Sequence, residues 1–390
     1  MKWEYKTLDQ LGEVSRGRSK HRPRNDPSLF GGKYPFIQTA DVKAANFYIT
    51  EYDTTYNEKG LAQSRLWNPG TLCITIATNI ADTGILAMDA CFPDSVMGFL
   101  PYERIADVRF VKYCFDILQQ NCKKISQGAA QDNLSWEKLS TILFPAPPIE
   151  VQTKIADILS TYDNLIENNQ KQIKLLEEAA QRLYKEWFVD LRFPGHENTK
   201  ITDGIPEGWK IQTLSQIADV VMGQSPKSEF YNQNGQGLPF HQGVGSYGTR
   251  FVVDKIYSTS FTRIAEAGSI LFSVRAPVGR LNLTRNRVVI GRGLAAINHR
   301  LGKQSYLFYL LKEHFFKDDV IGNGAIFASI SKDELLAQQF TIPVSNLIEQ
   351  FNVIVSDMDG RIAELAEQVT LLIEARDRLL PKLMSGEIEV

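Results

Sequence analysis

The sequence contains no long apolar run and few cysteines, and each absence excludes a class of protein. No stretch approaches the roughly 20 apolar residues of a membrane-spanning helix, and the opening residues MKWEYKTLDQ hold no apolar signal core. The four cysteines form no C-x-x-C pair, so we expect buried free thiols rather than zinc ligands or disulfides. These absences predict a protein of the reducing cytoplasm that does not bind a membrane.

Motifs of catalysis are missing as well. The G-x-G-x-x-G at residues 243–248 is followed by TRFVVDKIYS, which is extended rather than helical and so the wrong context for a dinucleotide. There is no P-loop and no G-x-S-x-G elbow, and the five histidines lack metal-ligand spacing. The one Pro-Pro pair follows Ala146, so the Asn/Asp-Pro-Pro-aromatic tetrapeptide of amino-methylating enzymes is missing too. The sequence favours a binding protein with no catalytic centre, metal or cofactor of its own.

Two stretches of the chain lack acidic residues, although the net charge of the whole chain is only −2. No Asp or Glu occurs between residues 268 and 312, where the basic residues are Arg275, Arg280, Arg285, Arg287, Arg292, Arg300, Lys303 and Lys312. The string SRGRSKHRPR near the N-terminus is the second such stretch. Basic surfaces separated from acidic ones are typical of phosphate binders. The alternative is that counter-ions for these side chains lie elsewhere in the fold.

The sequence repeats itself. The string LLEEAAQRL at residues 175–183 returns as LLIEARDRL at residues 371–379. The string WEYKTLDQLGEV that begins at Trp3 returns as WKIQTLSQIADV at Trp209. Further matches keep the same order at an offset of about 200 residues, which predicts two copies of one structural unit.

Each copy begins with a domain and continues into a long helix. The domains are rich in Gly, Pro, aromatic and β-branched residues, in strings such as TLCITIATNI and SILFSVRAPVG, which predicts mixed sheet and short helices. Apolar residues then recur at alternating steps of four and three over residues 155–187 and 351–383, the seam of a coiled coil. Asn169 and Arg376 interrupt these seams, and we hypothesise that they set the register.

The predicted fold class is α/β (α+β), with two pseudo-symmetric globular domains separated by two long antiparallel coiled-coil helices. Helices of about 33 residues, roughly 50 Å long, exceed what one domain can cover, so we expect them to pair with each other. The predicted boundaries are 1–149 for the first domain, 150–192 for the first helix, 196–344 for the second domain and 345–390 for the second helix.

Several strings carry a resemblance to a known family. The second half contains GQSPKSEFYN, GLPFHQG, SVRAPVG and IGRGLAAI, the linker contains WFVDLRFPG and IPEGW, and the C-terminus reads LLPKLMSGEIEV. In this order, these strings resemble the specificity (S) subunit of type I restriction–modification systems. The first domain departs from the pattern, with TIATNIADTGIL where the second has LFSVRAPVGRL, so its base contacts are harder to place.

The resemblance implies a non-catalytic DNA-binding subunit whose two target-recognition domains each read one half of a bipartite, asymmetric double-stranded site. It further implies that the helical spacers dock two S-adenosylmethionine-dependent adenine methyltransferase (M) subunits, which can recruit restriction (R) subunits that use ATP and Mg²⁺. Two alternatives stay open: a self-contained DNA methyltransferase or nuclease with degenerate motifs, and a coiled-coil scaffold that binds only protein.

Polar loops bounded by glycine are the expected DNA contacts, because Arg pairs with guanine, Gln pairs with adenine and Lys positions phosphates. In the second domain the candidates are Gln224, Ser225, Lys227, Gln242, Ser246, Tyr247, Arg250, Arg275, Arg285, Arg292 and Asn323. In the first domain they are Arg16, Arg18, Ser19, Lys20, Gln38, Thr39, Asp41, Thr78, Asn79, Gln127 and Gln131. An ion pair inside the domain is the alternative for Arg275. For docking of partner subunits we expect Tyr184, Trp187 and Phe188, although Trp187 also fits the seam.

Overall fold

The chain forms two compact units, each with one sheet-rich domain and a segment of both long helices. The computed structural model describes residues 3–76, 82–125, 136–315 and 329–390. One unit comprises Met1–Lys171 with Leu365–Val390, and the other comprises Gln172–Glu364.

The first domain is built around a five-stranded sheet. Its strands are β1 (Glu4–Lys6), β2 (Gly12–Arg16), β3 (Phe30–Pro35), β4 (Tyr48–Ile49), β5 (Thr55–Tyr56), β6 (Leu72–Thr75), β7 (Thr83–Leu86), β8 (Val96–Pro101) and β9 (Phe144–Ala146). Its helices are α1 (Leu8–Leu11), α2 (Thr39–Ala44), α3 (Glu58–Ala62), α4 (Val108–Ile125) and α5 (Trp136–Leu139), and the long helix α6 (Ile149–Tyr184) follows. The main sheet has the order β2-β8-β6-β7-β4 and is antiparallel except between β4 and β7.

The second domain has two sheets. Its strands are β10 (Ile201–Thr202), β11 (Ile205–Pro206), β12 (Lys210–Thr213), β13 (Ala218–Met222), β14 (Tyr231–Asn232), β15 (Leu238–His241), β16 (Tyr257–Ser258), β17 (Ile264–Ala265), β18 (Ile270–Ser273), β19 (Leu281–Leu283), β20 (Val288–Ile290), β21 (Leu294–His299) and β22 (Gln339–Ile342). Its helices are α7 (Leu214–Ile217), α8 (Gln304–Phe315) and α9 (Lys332–Leu336), and the long helix α10 (Ser345–Met384) follows. The sheet orders are β13-β21-β18-β19 and β14-β16-β15-β20-β17.

The sequence repeat reappears in the strand pairing. The pair β1–β9 and the pair β12–β22 are both antiparallel, and each joins the start of its domain to the end. Each first strand leads into a one-turn helix that begins with a capping box, in which the backbone N–H of Thr7 or Thr213 donates to a Gln side chain three residues on. The order β2-β8-β6-β7 matches β13-β21-β18-β19. The predicted duplication is therefore confirmed by the fold.

The domain cores explain the apolar strings in the sequence. All four residues of β6 are buried, as are all four residues of β18, because both faces of these strands are covered. Cys73, Cys91 and Cys114 are buried free thiols, as expected. Burial raises the pKa of the Cys73 thiol.

The long helices run antiparallel to each other within each unit. In the first unit, residues 155–159 of α6 share a core with residues 380–384 of α10. In the second unit, residues 180–184 of α6 share a core with residues 351–355 of α10. The start of one helix therefore meets the end of the other in both cases, and the predicted antiparallel pairing is confirmed.

The two polar residues that interrupt the seams have partners on the opposite helix. Asn169 donates through Nδ2 to Oε1 of Gln368, at 3.1 Å. Arg376 donates through Nη1 to Oδ1 of Asp163, at 2.5 Å, and the other oxygen of this buried carboxylate accepts from the hydroxyl of Tyr113. These bonds can form in only one register of the helix pair, which supports the hypothesis of a register-setting role.

We expect Arg376→Ala to destabilise the first unit by about 3 kcal/mol, because the substitution leaves the buried Asp163 carboxylate without its guanidinium. Urea unfolding of the chain measures this loss. The matched control is Arg378→Ala, two residues along the same helix, where an exposed arginine pairs with Glu374 and about 0.5 kcal/mol or less is expected. Equal urea midpoints for the two variants would show that the buried ion pair stabilises the first unit no more than the exposed one does.

Candidate nucleic-acid interface

Four loops of the second domain meet at one edge of its sheets. Strand β21 pairs with both β13 and β18, so the loops that leave those two strands lie beside the start of β21. The backbone N–H of Gly223 donates to the carbonyl of Leu294, at 2.9 Å, and that of Val274 donates to Gly293, also at 2.9 Å. The parallel pair β15–β20 brings the loop after His241 to the same place. Strand pairing therefore brings these loops together.

Glycines allow the loops to approach this closely. A Cβ atom on Gly223 would lie 2.1 Å from the carbonyl oxygen of Gly291, and a Cβ on Gly291 would lie 2.9 Å from the hydroxyl of Ser225. The hydroxyl of Ser225 also accepts from the backbone N–H of Arg292, at 3.2 Å. Any larger residue at either glycine would push the loops apart, so the spacing of the side chains between them depends on these two positions.

The result is a cluster of polar side chains from four loops, which we call the second loop edge: Gln224, Ser225, Gln242, Arg275 and Arg292. All but the half-buried Ser225 are exposed. Within the described part of the chain, neither arginine has a carboxylate partner within salt-bridge distance; Arg275 instead forms a backbone bridge with Ser329. These two guanidinium groups are thus available to a ligand.

Four other basic residues of the acid-free stretch have partners within the second unit. Arg287 pairs with Glu266 at 3.1 Å and Arg300 pairs with Asp219 at 3.0 Å. Lys303 pairs with Glu349. Arg285 lies 4.6 Å above the ring of Phe251 and is exposed. The counter-ion explanation therefore holds for the three ion-paired residues but not for the arginines of the second loop edge.

The first domain has an equivalent edge. The backbone N–H of Gly17 donates to Val96 and that of Arg18 donates to Phe92, at 2.8 and 2.9 Å, which repeats the bonds of Gly223 and Gln224. Arg18 and Ser19 therefore occupy the positions of Gln224 and Ser225, and Gln38 occupies that of Gln242. The first loop edge comprises Arg16, Arg18, Ser19, Lys20 and Gln38.

The two loop edges differ in chemistry at equivalent positions. Arg18 stands where the second domain has Gln224, and Arg16, Arg18 and Lys20 are exposed with no carboxylate partner in the described part of the chain. Asp94 stands where the second domain has Arg292, and it is bound by Arg24 at 2.7 Å. Unlike side chains on a common backbone frame can recognise unlike bases.

The structure gives local roles to four of the predicted contacts. Ser19 is buried, with its hydroxyl 3.5 Å from that of Tyr56, so we correct the prediction and remove Ser19 from the DNA contacts. Asp41 accepts the backbone N–H of Gln38 at 2.7 Å and so caps α2, whose first residue is the half-buried Thr39. Lys227 is exposed and pairs with Glu229 at 3.8 Å.

Arg250 and Tyr247 are not placed as the sequence led us to expect. Arg250 is only 4% exposed, because its guanidinium lies between Glu177 and Asp359. Burial alone would lower the pKa of Arg250, but the neighbouring carboxylates and Tyr309 outweigh burial and the pKa is raised. Tyr247 is half-buried and donates to the carbonyl of Leu271, and the half-buried Ser246 donates to Gly243. We therefore correct the prediction and remove Arg250 and Tyr247 from the DNA contacts.

The expected docking residues lie mainly in the core of the second unit. Tyr184 is 4% exposed and packs against Tyr306 and Phe351. Trp187 and Phe188 are half-buried, with ring centroids 6.1 and 5.1 Å from that of Phe351. This aromatic cluster corrects the prediction for Tyr184 and favours the alternative role of Trp187 in the seam.

Five predicted contacts lie outside the described residues: Thr78, Asn79, Gln127, Gln131 and Asn323. Two tyrosine–aspartate pairs, in contrast, were missed from the sequence. Asp163 accepts from Tyr113 at 2.5 Å, and Asp359 accepts from Tyr309 at 3.2 Å. Both residues of the first pair stand 196 positions before those of the second, so the repeat itself held the signal.

Comparison with known proteins identifies the fold and the family. The family model for the type I restriction modification DNA specificity domain matches residues 1–178 and 206–375. The chain belongs to this family. The family is that of the specificity subunit of type I restriction–modification systems, a non-catalytic DNA-recognition subunit whose partner subunits perform catalysis.

Individual relatives agree over the whole length of this specificity subunit. A protein of Methanocaldococcus jannaschii named as the MjaX type I restriction enzyme specificity subunit is 33% identical over 406 residues, covering 100% of this chain and 94% of its own. The HindI specificity subunit of Haemophilus influenzae is 22% identical, covering 97% and 98% of the two chains. The crystal structure of an S subunit from M. genitalium has the same fold, with a TM-score of 0.63, 16% identity and coverage of 98% and 96%.

Among the described residues, no helix is long and apolar enough to span a membrane. The same residues include no group of three or more His, Cys, Asp or Glu side chains placed to hold a metal ion.

We expect Arg275→Ala and Arg292→Ala each to weaken DNA binding about fivefold to a hundredfold, the range for loss of one good arginine contact to a base. Titration of this specificity subunit, together with its partner subunits, against DNA that carries its recognition site measures this change. The matched control is Arg300→Ala, which removes an equally charged side chain already paired with Asp219, and little change is expected there. Full affinity and specificity in both loop-edge variants would remove these arginines from the interface.

Proposed function

We propose that this specificity subunit reads a bipartite, asymmetric double-stranded DNA site, with one half-site contacted by each loop edge. The observation that carries the proposal is the pair of equivalent loop edges with unlike side chains. The remaining candidate contacts keep their proposed role: Lys227 and Arg285 approach phosphates, and Ser246, Thr39 and Asp41 contact DNA beside the loop edges. Thr78, Asn79, Gln127, Gln131 and Asn323 stay proposed on sequence grounds.

We propose four functional segments: residues 1–149 and 196–344 as target-recognition domains, and residues 150–192 and 345–390 as helical spacers. The spacers set the separation of the half-sites. A strut of about 50 Å spans roughly 15 base pairs, because each base pair rises about 3.4 Å, and this is an upper bound on the spacing.

The proposed partners are two methyltransferase subunits, with restriction subunits joining them. Duplicated apolar side chains on the long helices support this stoichiometry. Leu175 is 56% exposed and its repeat equivalent Leu371 is 58% exposed, while Ile158 and Ile354 form a second equivalent pair at 36% and 41%. Exposed apolar residues that recur at equivalent positions suit two copies of one partner. S-adenosylmethionine belongs to the methyltransferase, and ATP with Mg²⁺ belongs to the restriction subunit.

The proposal is tested by co-expressing this chain with the methyltransferase encoded beside it and mapping methylated adenines genome-wide. We expect a split motif with two unlike halves, methylated only when this chain is present. Methylation of the same motif without this chain would mean that the enzyme finds its own site, and a protein-only scaffold would then explain the chain better.

We expect Leu175→Ser to leave one methyltransferase bound per chain and the double variant with Leu371→Ser to bind none, because each leucine lies on one of two equivalent faces. Native mass spectrometry of the purified complex counts the copies. Leu165→Ser is the matched control: this residue is 45% exposed on the same helix, but its repeat equivalent is Arg361. Two copies bound in the double variant would place the docking face elsewhere.

A further inference from the structure

A short segment of the second domain connects the second loop edge to the long helices. It begins at Gln242, whose carbonyl accepts from the backbone N–H of Gly293 at 3.1 Å within the second loop edge. The segment then folds back on itself, with Val253 donating to the carbonyl of Ser246 at 2.8 Å. Arg250 lies at the far end. One end of this segment therefore lies among the proposed base contacts and the other carries a buried cation.

The guanidinium of Arg250 joins the segment to three helices. It donates to Glu177 of α6 at 3.3 Å and to Asp359 of α10, and it lies 3.3 Å from the hydroxyl of Tyr309 on α8. Its flat face lies 4.4 Å above the ring of Phe308. A planar fork that binds two carboxylates on two helices fixes both distance and direction, which a lysine ammonium does not.

Among the described residues of the first unit, no guanidinium at the equivalent position makes this connection. The position of Arg250 is taken there by Phe47, as shown by the backbone bond from Ile85 to Phe47 at 3.0 Å, which repeats that from Leu283 to Arg250 at 2.9 Å. The guanidinium that binds Asp163 comes instead from Arg376 of α10. In the first unit the buried charge therefore joins the two helices to each other.

The segment that follows Gln38 in the first domain is held to the helices by apolar packing and one neutral bond. The buried Phe47 lies in the core that also contains Ile155 and Leu159 of α6. Asn46 donates through Nδ2 to Oε1 of Gln170 on α6, at 2.8 Å, and this bond is neutral and exposed. An exposed amide pair competes with water and contributes little to fixing a loop. The two recognition domains therefore differ in the chemistry that holds their segments: an ion-paired guanidinium in the second, and apolar packing with a neutral amide pair in the first.

We propose that Arg250 is a positioning residue for the second half-site, the half-site that the second loop edge contacts. Arg250 holds the segment that begins at Gln242 against both long helices and so fixes the approach of that loop to DNA. The inference rests on the proposed function, in which each loop edge reads one half-site. Loss of the Arg250 fork lets Gln242 shift relative to the other members of the second loop edge. Discrimination then falls at the second half-site and is kept at the first.

The experiment uses the complex of the full chain with its methyltransferase. Methylation rates are measured on a pool of DNA sites in which each base pair of either half-site is substituted in turn. For Arg250→Met we expect discrimination at the second half-site to fall about tenfold, comparable to the cost of one mismatched base pair, with discrimination at the first half-site unchanged. Arg250→Lys and Asp359→Asn should lower this discrimination in the same direction and less strongly. These two variants replace Arg250→Met in the measurement if Arg250→Met fails to fold.

Two controls separate positioning from simple support of the fold. Arg287→Met removes an exposed arginine of the same domain that pairs with Glu266, and Asn46→Ala removes the neutral tie of the first domain; both should leave discrimination intact. An equal loss at both half-sites in the Arg250 and Asp359 variants, or no loss at either, overturns the inference while the split motif of the wild-type complex upholds the proposed function. A wild-type complex without a two-part motif overturns both.

Discussion

Each unit of this specificity subunit depends on one carboxylate of a long helix, the buried Asp163 in the first unit and the half-buried Asp359 in the second. Asp163 and Asp359 occupy equivalent positions of the repeat, and each accepts from a tyrosine of its own domain and from an arginine. A carboxylate that has lost most of its solvent is costly unless it is bonded, and at both positions a tyrosine and a guanidinium supply those bonds. In the first unit these bonds join the two helices to each other and to the domain, and in the second unit they join the domain to α10.

The duplication preserved the backbone and left the side chains free to diverge. Strand pairing, the capped helical turn and the tyrosine–aspartate pair recur in both halves, while the loop edges carry Arg18 in one domain and Gln224 in the other. A frame fixed by main-chain bonds and glycine contacts tolerates such exchange, because the exchanged side chains point away from the core. Two loop edges with unlike side chains thus follow from a single fold.

Periodic features of the fold could be predicted from the sequence, and pairings between distant residues could not. The heptad seams are local patterns, and the repeat is visible as matching strings. The glycine-bounded loops identified Gln224, Gln242 and Arg292, which the fold brings together. Arg250 was misassigned, because its burial is decided by carboxylates 73 and 109 positions away. Tyr184 was misassigned because the aromatic residues that cover it lie more than a hundred positions later. Neither the ion pairs of Arg250 nor the aromatic contacts of Tyr184 produce a periodic pattern in the sequence.

The two units differ in whether their residues are continuous in the sequence. The second unit, Gln172–Glu364, is continuous in sequence, whereas the first needs Leu365–Val390 to complete the core around Met1–Lys171. During synthesis, all residues of the second unit are therefore made while the first still lacks its second helix. The apolar face of α6 that will meet residues 380–384 is exposed during that interval, so the domain made first is the last to finish folding.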